Sequence, residues 1–216
     1  MSKEFSILIN TTDSFSDCWG PFFHLFCEYW PNYDGKIYLN TENKTFSYQN
    51  LNIISVQNGL KNGTWSECLE HAVNKIDEEY FIYLQEDYFF NNLVNHEKLI
   101  YFFNIFKANQ LDCLHLTDQC SEGPFKKTNF NSDVWEFDRN AAYRISTQAA
   151  FWKKSMILRV IRSWESGWDF EKFGTKRSKN ELFKIMSINH NVYKKNSSEI
   201  IPYVFTGIIK GKWKKE

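Results

Sequence analysis

Residues 80–90 read YFIYLQEDYFF. Five apolar and aromatic residues run straight into Gln85, Glu86 and Asp87, and three more aromatics follow. A short apolar run of this kind reads as a buried strand. A carboxylate is costly to bury without a partner, so two adjacent acids at such a strand's end require water, a cation or a hydrogen-bond network. In open α/β sheets, ligands bind outside the carboxyl ends of the strands. The stretch therefore predicts a strand and also the place where a site would lie.

Upstream, FSILIN (5–10) is a first apolar run closed by the polar cluster TTDSFSD. GPFFHLFCEYW (20–30) has helical apolar spacing, with Pro21 near its start, where proline is tolerated. KIYLN (36–40) and LNIISV (51–56) predict two further strands. In TWSECLEHAVNKI (64–76), Thr64 is an N-cap with Glu67 three residues on, the capping-box spacing. Downstream, HEKLIYFFNIFKA (96–108) predicts a helix and DCLHLT (112–117) a fifth strand. Strands alternating with helices argue for an α/β layered domain with a mostly parallel sheet. Past residue 120 the alternation loosens. Residues 117–133 read as loop, QAAFWKKSMILRVIRSW (148–164) as a helix, and IIPYVFTGII (200–209) as a late strand. No repeat, low-complexity block or linker divides the chain, so one domain over residues 1–216 is expected.

Lys+Arg and Asp+Glu are both 26, so the basic excess of a broad nucleic-acid footprint is missing. Five cysteines without a C-x-x-C pair or zinc spacing argue for free thiols in a reducing compartment. The N-terminal apolar run is too short for a signal peptide, and no window approaches the ~18 apolar residues of a membrane span. A cytoplasmic protein is expected. The basic IIKGKWKKE (208–216) suits a solvated tail or contact with an anionic membrane at its inner face.

Three clusters carry chemistry. The first supplies Thr11, Thr12, Asp13, Ser14, Ser16 and Asp17 after the first strand; the second is Gln85, Glu86 and Asp87. In a parallel sheet both face one crevice, where hydroxyls and carboxylates can bind a ribose, a base or a sugar, and an acid can hold Mg²⁺ or Mn²⁺. The third is RSWESGWDFEKFGTKRS (162–178), where Glu165, Asp169 and Glu171 sit among Trp164, Trp168, Phe170 and Phe173. Aromatic faces with acids suit a sugar; capping acids on a helix end are the plainer account. Gly167 and Gly174 suggest a turn there.

SILINTTDSFSDCWGPFFHLFCEYWP, TWSECLEHAVNKIDEEYFIYLQEDYFF and YRISTQAAFWKK with WESGWDFE, spread over residues 6–171, resemble bacterial glycosyltransferases of the GT-A fold, more narrowly those of capsule and lipopolysaccharide synthesis. The resemblance implies a Rossmann-like nucleotide-binding part over about 1–120 and an acceptor part over about 121–216. It implies a UDP- or GDP-sugar donor and a hydroxyl acceptor on a glycan or lipid-linked sugar. Thr11, Asp13 and Ser14 would meet the nucleotide with Glu86 and Asp87. Asp87 would hold Mn²⁺ or Mg²⁺, although the family's Asp-x-Asp is absent. Trp164 and Trp168 would form the acceptor platform, with Glu171 as general base and Asp169 second in line. Lys172, Lys176 and Arg177 would steady the leaving diphosphate, and His190 stands where a late metal ligand occurs. The rival readings are a carbohydrate-binding module without turnover and a phosphatase with Asp13 as nucleophile. The run DSF, lacking a second Asp two residues on, weighs against the phosphatase.

Overall fold

The computed structural model describes residues 5–209 and 212–213. One nine-stranded sheet organises the chain. Its strands are β1 (Ser6–Asn10), β2 (Lys36–Leu39), β3 (Asn52–Ser55), β4 (Tyr80–Gln85), β5 (Cys113–His115), β6 (Phe125–Lys127), β7 (Val134–Phe137), β8 (Ala150–Lys153) and β9 (Ile185–Ile188). The order across the sheet is β3-β2-β1-β4-β8-β5-β9-β7-β6. β3, β2, β1 and β4 pair in parallel. β8 then inserts antiparallel between β4 and β5, and β7 runs against both β9 and β6. All strands other than β7 and β8 thus share one direction. The helices are α1 (Ser16–Tyr29), α2 (Trp65–Lys75), α3 (His96–Ala108), α4 (Lys154–Val160) and α5 (Gly167–Ser178). β10 (Ile208–Ile209) and β11 (Lys212–Trp213) form a separate two-stranded ribbon.

Strand side chains alternate between faces, and that alternation sorts the core into two layers. Ile7, Ile9, Ile37, Leu39, Ile82 and Leu84 pack with Phe22, Phe23 and Phe26 of α1 and Leu99, Phe102, Phe103 and Phe106 of α3. The intervening Leu8, Tyr38, Phe81 and Tyr83 pack with Leu69, Ala72 and Val73 of α2, Met156, Ile157 and Val160 of α4, and Phe170 of α5. Helices therefore cover both faces, which is why the central strands are apolar throughout. The capping box is formed: the Glu67 amide donates to Thr64 Oγ1 at 3.1 Å, and the Thr64 amide donates to Glu67 Oε2 at 2.8 Å. α3 spans the expected residues, capped by Asn95, whose side chain accepts from the Lys98 amide.

Several expectations are corrected. Residues 148–164 are β8 followed by α4, not one helix. Ala150 and Trp152 join one layer and Phe151 the other, a strand alternation inside what reads as helical spacing. Residues 162–178 contain helix α5 where the two glycines suggested a turn. Gly174 lies inside the helix because a Cβ there would stand 3.1 Å from both Ile145 and Val160. Pro21 lies well inside α1, which starts at Ser16. The loop at 117–133 carries β6. The late strand at 200–209 reduces to a bridge between Tyr203 and Phe90 and the short β10. Most of the basic tail, residues 210–211 and 214–216, lies outside the described residues, as do residues 1–4.

Candidate active site at the carboxyl ends of the strands

β1 and β4 stay in parallel register to their last residues, with Asn10 opposite Gln85. The loops that follow them therefore leave the sheet side by side. A row of amides closes this edge. Asn10 Nδ2 donates to the Tyr83 hydroxyl at 3.1 Å, Asn40 Nδ2 to Asn10 Oδ1 at 2.8 Å, and Asn58 Nδ2 to Asn40 Oδ1 at 3.4 Å. Gln85 Nε2 reaches the same tyrosine oxygen at 3.4 Å. Asn10, Asn40, Asn58 and Tyr83 are all buried, so the ends of β1, β2 and β4 and the loop after β3 form one polar seam over an apolar sheet.

Glu86 and Asp87 sit beside that seam. Glu86 is buried, and burial pushes its carboxyl up to about 8, with its own backbone amide and nearby Asp87 as smaller influences. Burial also raises the Asp87 carboxyl, against the Thr206 hydroxyl and the backbone amides of Ile208, Gly207 and Asp87 itself, which favour its ionised form. Thr206 Oγ1 donates to Asp87 Oδ2 at 2.5 Å, and the Gly207 amide donates to the Asp87 carbonyl at 2.9 Å. The segment that leads into β10 is thus strapped onto the end of β4. Cys18, at the start of α1, lies close enough for Asp17, Glu86 and Asp87 to add to the burial that lifts its thiol to about 12.

The loop after β1 is held from below. Thr11 Oγ1 accepts the Trp19 indole N–H at 2.9 Å. Asp13 accepts the amides of Glu42, Asn43 and Lys44 at 3.1, 2.9 and 3.1 Å. Burial works against ionisation of Asp13, but those amides hold its carboxyl below the usual range. Its oxygens are spent on tying the β1 loop to the β2 loop. Ser14 is exposed and shares a hydrogen bond with Thr12. Lys44 Nζ donates to the Asp13 carbonyl at 3.0 Å and to Ser16 Oγ at 2.6 Å, which brings a cation to the β1 loop.

The third cluster divides. Glu171 lies on the buried side of α5, where its Oε1 accepts from Thr147 N at 2.7 Å, Thr147 Oγ1 at 2.9 Å and Ser146 Oγ at 3.3 Å. The carbonyl of Thr147 in turn accepts the Tyr88 hydroxyl at 3.0 Å, so Glu171 is two bonds removed from the Glu86–Asp87 turn. Tyr83 lies in the field of both Glu86 and Glu171. Asp169 is two residues from Glu171, about 200° around the helix. Its carboxylate completes a capping box with Ser166. Glu165 is fully buried and takes a two-pronged pair from Arg177 at 2.6 and 2.8 Å. Lys172 and Lys176 lie 5.4 and 5.5 Å from the Phe173 ring. Trp164 and Trp168 are 60% and 80% exposed. His190 is tied to Ser187 Oγ at 2.8 Å and packed on Phe125.

The structure thus gathers the β1 loop, Glu86, Asp87 and Glu171 at one end of the sheet, and turns Asp169 away from Glu171. It adds residues not singled out from sequence: the asparagine row, Tyr83, Lys44, Thr206 and the chain from Tyr88 through Gln148 to Tyr203. In that chain Gln148 Nε2 donates to the Tyr88 hydroxyl at 3.0 Å and the Tyr203 hydroxyl to Gln148 Oε1 at 2.9 Å. The asparagines did leave a signal, since both FSILIN and KIYLN close on Asn.

No family model and no curated protein matches the chain. Among solved structures it is similar to TarS of S. aureus, residues 1–349, with TM-score 0.53, 12% identity, and coverage of 86% of this chain and 57% of that one. A second TarS structure aligns with TM-score 0.50 and 11% identity, over 80% of this chain and 33% of that one. The chain thus spans little more than half of one neighbour and a third of the other. The bifunctional IspDF of Campylobacter jejuni aligns more weakly, with TM-score 0.42, 14% identity and coverage of 93% of this chain and 52% of that one. The likeness is one of fold: a GT-A-like α/β sheet flanked by helices, as expected from the sequence.

Proposed function

We propose that this chain, sharing its fold with TarS, a wall teichoic acid glycosyltransferase, is itself a glycosyltransferase. It would move a sugar from a UDP- or GDP-sugar to a hydroxyl of a glycan or lipid-linked acceptor in bacterial surface-polysaccharide synthesis. The observation that carries the reading is the meeting of the β1 loop, the Glu86–Asp87 pair and the Glu171 loop at the carboxyl end of the sheet. A nucleotide fits against the asparagine seam, where amides offer donors and acceptors to a base and a ribose. Asp13 acts through the loop it holds, and Thr11 and Ser14 present that loop's hydroxyls. Lys44 supplies positive charge for the diphosphate.

A divalent cation fits the acids in a limited way. Mg²⁺ and Mn²⁺ take oxygen donors, and Mg²⁺ is commonly held by one or two carboxylates plus substrate phosphates. Asp87 supplies one such carboxylate, whereas no protein-only cage of three ligands exists among the described residues. When bound, the ion would offset charge growing on the leaving diphosphate.

Transfer needs a base. The acceptor hydroxyl attacks the anomeric carbon, the glycosidic bond breaks with its electron pair going to the nucleoside diphosphate, and a carboxylate takes the hydroxyl proton. Glu86 suits this step because a base works best with a pKa near the operating pH, and burial has brought it to about 8. Glu171, the base expected from the sequence, already accepts three hydrogen bonds on Oε1, so its part here is to position the 146–148 loop. Trp164 and Trp168 stand outside as surface for the acceptor's sugar rings.

The rival, a sugar-binding module without turnover, draws on one observation: the Asp13 carboxylate accepts backbone amides and the Asp169 carboxylate accepts the Ser166 hydroxyl in a cap. Thermal melts with UDP or GDP, with and without Mn²⁺, separate the two. A ligand at 100 times its Kd stabilises the folded state by about 2.7 kcal/mol. A transferase is stabilised by at least one nucleotide; a sugar-binding module ignores both.

A further inference from the structure

Trp168 on α5 is 80% exposed, and Trp164, in the loop before it, is 60% exposed. Grouped apolar side chains left open on a surface mark a contact. The Trp164 ring lies 5.5 Å from Phe173 of α5. The buried side of the helix carries Phe170, Glu171, Gly174, Thr175 and Ser178, whereas Trp168, Lys172 and Lys176 face outward with Phe173 half-buried beside them. Lys172 Nζ and Lys176 Nζ both lie over the Phe173 ring. Cations and aromatic rings are therefore mingled on one outer face.

The acids of this segment are withdrawn from that face. Glu165 is fully buried against Arg177, and Glu171 holds Ser146 and Thr147. Asp169, the one acid on the outer side, accepts the Ser166 hydroxyl in the helix cap. Lys172, Lys176 and Lys179 have no carboxylate partner among the described residues. Lys+Arg and Asp+Glu balance at 26 each over the chain, so this basic excess is local. A nucleic acid would require a broader one, and a neutral sugar would require none. Tryptophan is enriched at membrane interfaces, where one end of the ring is apolar and the other wet. Lysine lays its stem along apolar surface and keeps its head in water. Unpaired lysines around such rings complement anionic headgroups.

We propose that the outer face of α5, together with Trp164, docks on an anionic lipid membrane. Trp164, Trp168 and Phe173 rest at headgroup level, and Lys172, Lys176 and Lys179 meet the lipid phosphates. Through Glu171 the other side of the same helix holds the loop before β8, so the membrane lies about one helix diameter, ~10 Å, from that loop. Sugars of a lipid-linked acceptor occupy the same level and would meet the same tryptophans. That last point rests on the transferase reading; docking on the membrane does not.

The test is co-sedimentation of the full chain with vesicles of phosphatidylcholine alone and of an equal mixture of phosphatidylcholine and phosphatidylglycerol. Wild type should bind the mixed vesicles at least tenfold more strongly than the neutral ones, and less strongly as salt is raised. Trp168→Gln, and Lys172→Gln combined with Lys176→Gln, should each bind the mixed vesicles at least tenfold more weakly than wild type. Glutamine is a good helix former, and an unchanged melting temperature verifies the fold. Lys127→Gln, at an exposed position on edge strand β6, should bind like wild type. Absence of binding to either vesicle, equal binding to both, or binding indifferent to the α5 variants overturns the proposal. Binding lost on removal of residues 210–216 but kept in the α5 variants also overturns it, by moving the contact to the basic tail. Membrane binding with no response to UDP or GDP keeps this surface while removing the transferase reading.

Discussion

At the scale of single residues, Glu86 has the most direct consequences. Its carboxyl is pushed up to about 8 by burial, well above the ordinary value of 4.5. As base it must lose its proton, so kcat/KM should rise with pH through about 8 and lose that limb in Glu86→Gln, as measured by a pH–rate profile. A second consequence follows for stability. Between about 4.5 and 8 the unfolded chain has released this proton and the folded chain has kept it, so rising pH favours unfolding across that window. Glu86→Gln should remove this dependence, and denaturant titrations at pH 5 and pH 8 should show its advantage over wild type growing with pH. These residues were partly legible in the sequence. The apolar run into QED marked a strand end under tension between burial and charge. What it did not carry was which acid would be strapped: Asp87 meets Thr206 from 119 residues away, a contact no local pattern encodes.

At the scale of elements, α5 acts as a latch. Along its buried side Glu171 takes Ser146 and Thr147, the Thr175 hydroxyl accepts the Ile145 amide at 3.1 Å, and the Ser178 carbonyl accepts Arg144 Nη1 at 3.0 Å. The loop before β8 is thereby fixed against the site. Glu171→Ala leaves the Thr147 amide without its acceptor, and a buried group orphaned in this way costs about 1–3 kcal/mol. The melting temperature should fall accordingly, with turnover falling further and nucleotide affinity changing little. Ser166→Ala should cost only about 1 kcal/mol, the usual loss of an N-cap, and spare turnover. Chemical denaturation with parallel assays distinguishes the two. The sequence marked Glu171 as functional but read the surrounding glycines as a turn. Gly174 is in a helix for close packing on Ile145 and Val160, a tertiary reason that outweighs its poor helix propensity. β8 was missed for a similar reason: four residues flanked by a helix cannot be told from that helix until Phe151 and Trp152 are seen on opposite faces.

At the scale of the whole molecule, the alternation of strands and helices over the first 115 residues fixed the parallel half of the sheet. There the two core layers follow directly from the period-two pattern of ILIN, IYL and YFIYL. The second half was less legible because its strands are short and two of them run backwards, pairing with partners far along the chain. The amide row across β1, β2 and the loop after β3 gives this edge of the sheet its chemistry, and it is there that the donor should bind. Calorimetric titration of UDP and GDP, each with Mn²⁺, into wild type and Asp87→Asn tests that claim most directly. The account predicts saturable binding of at least one nucleotide by wild type and at least tenfold weaker binding by the variant. Titrations in which neither nucleotide binds, or in which wild type and Asp87→Asn bind equally well, would contradict it.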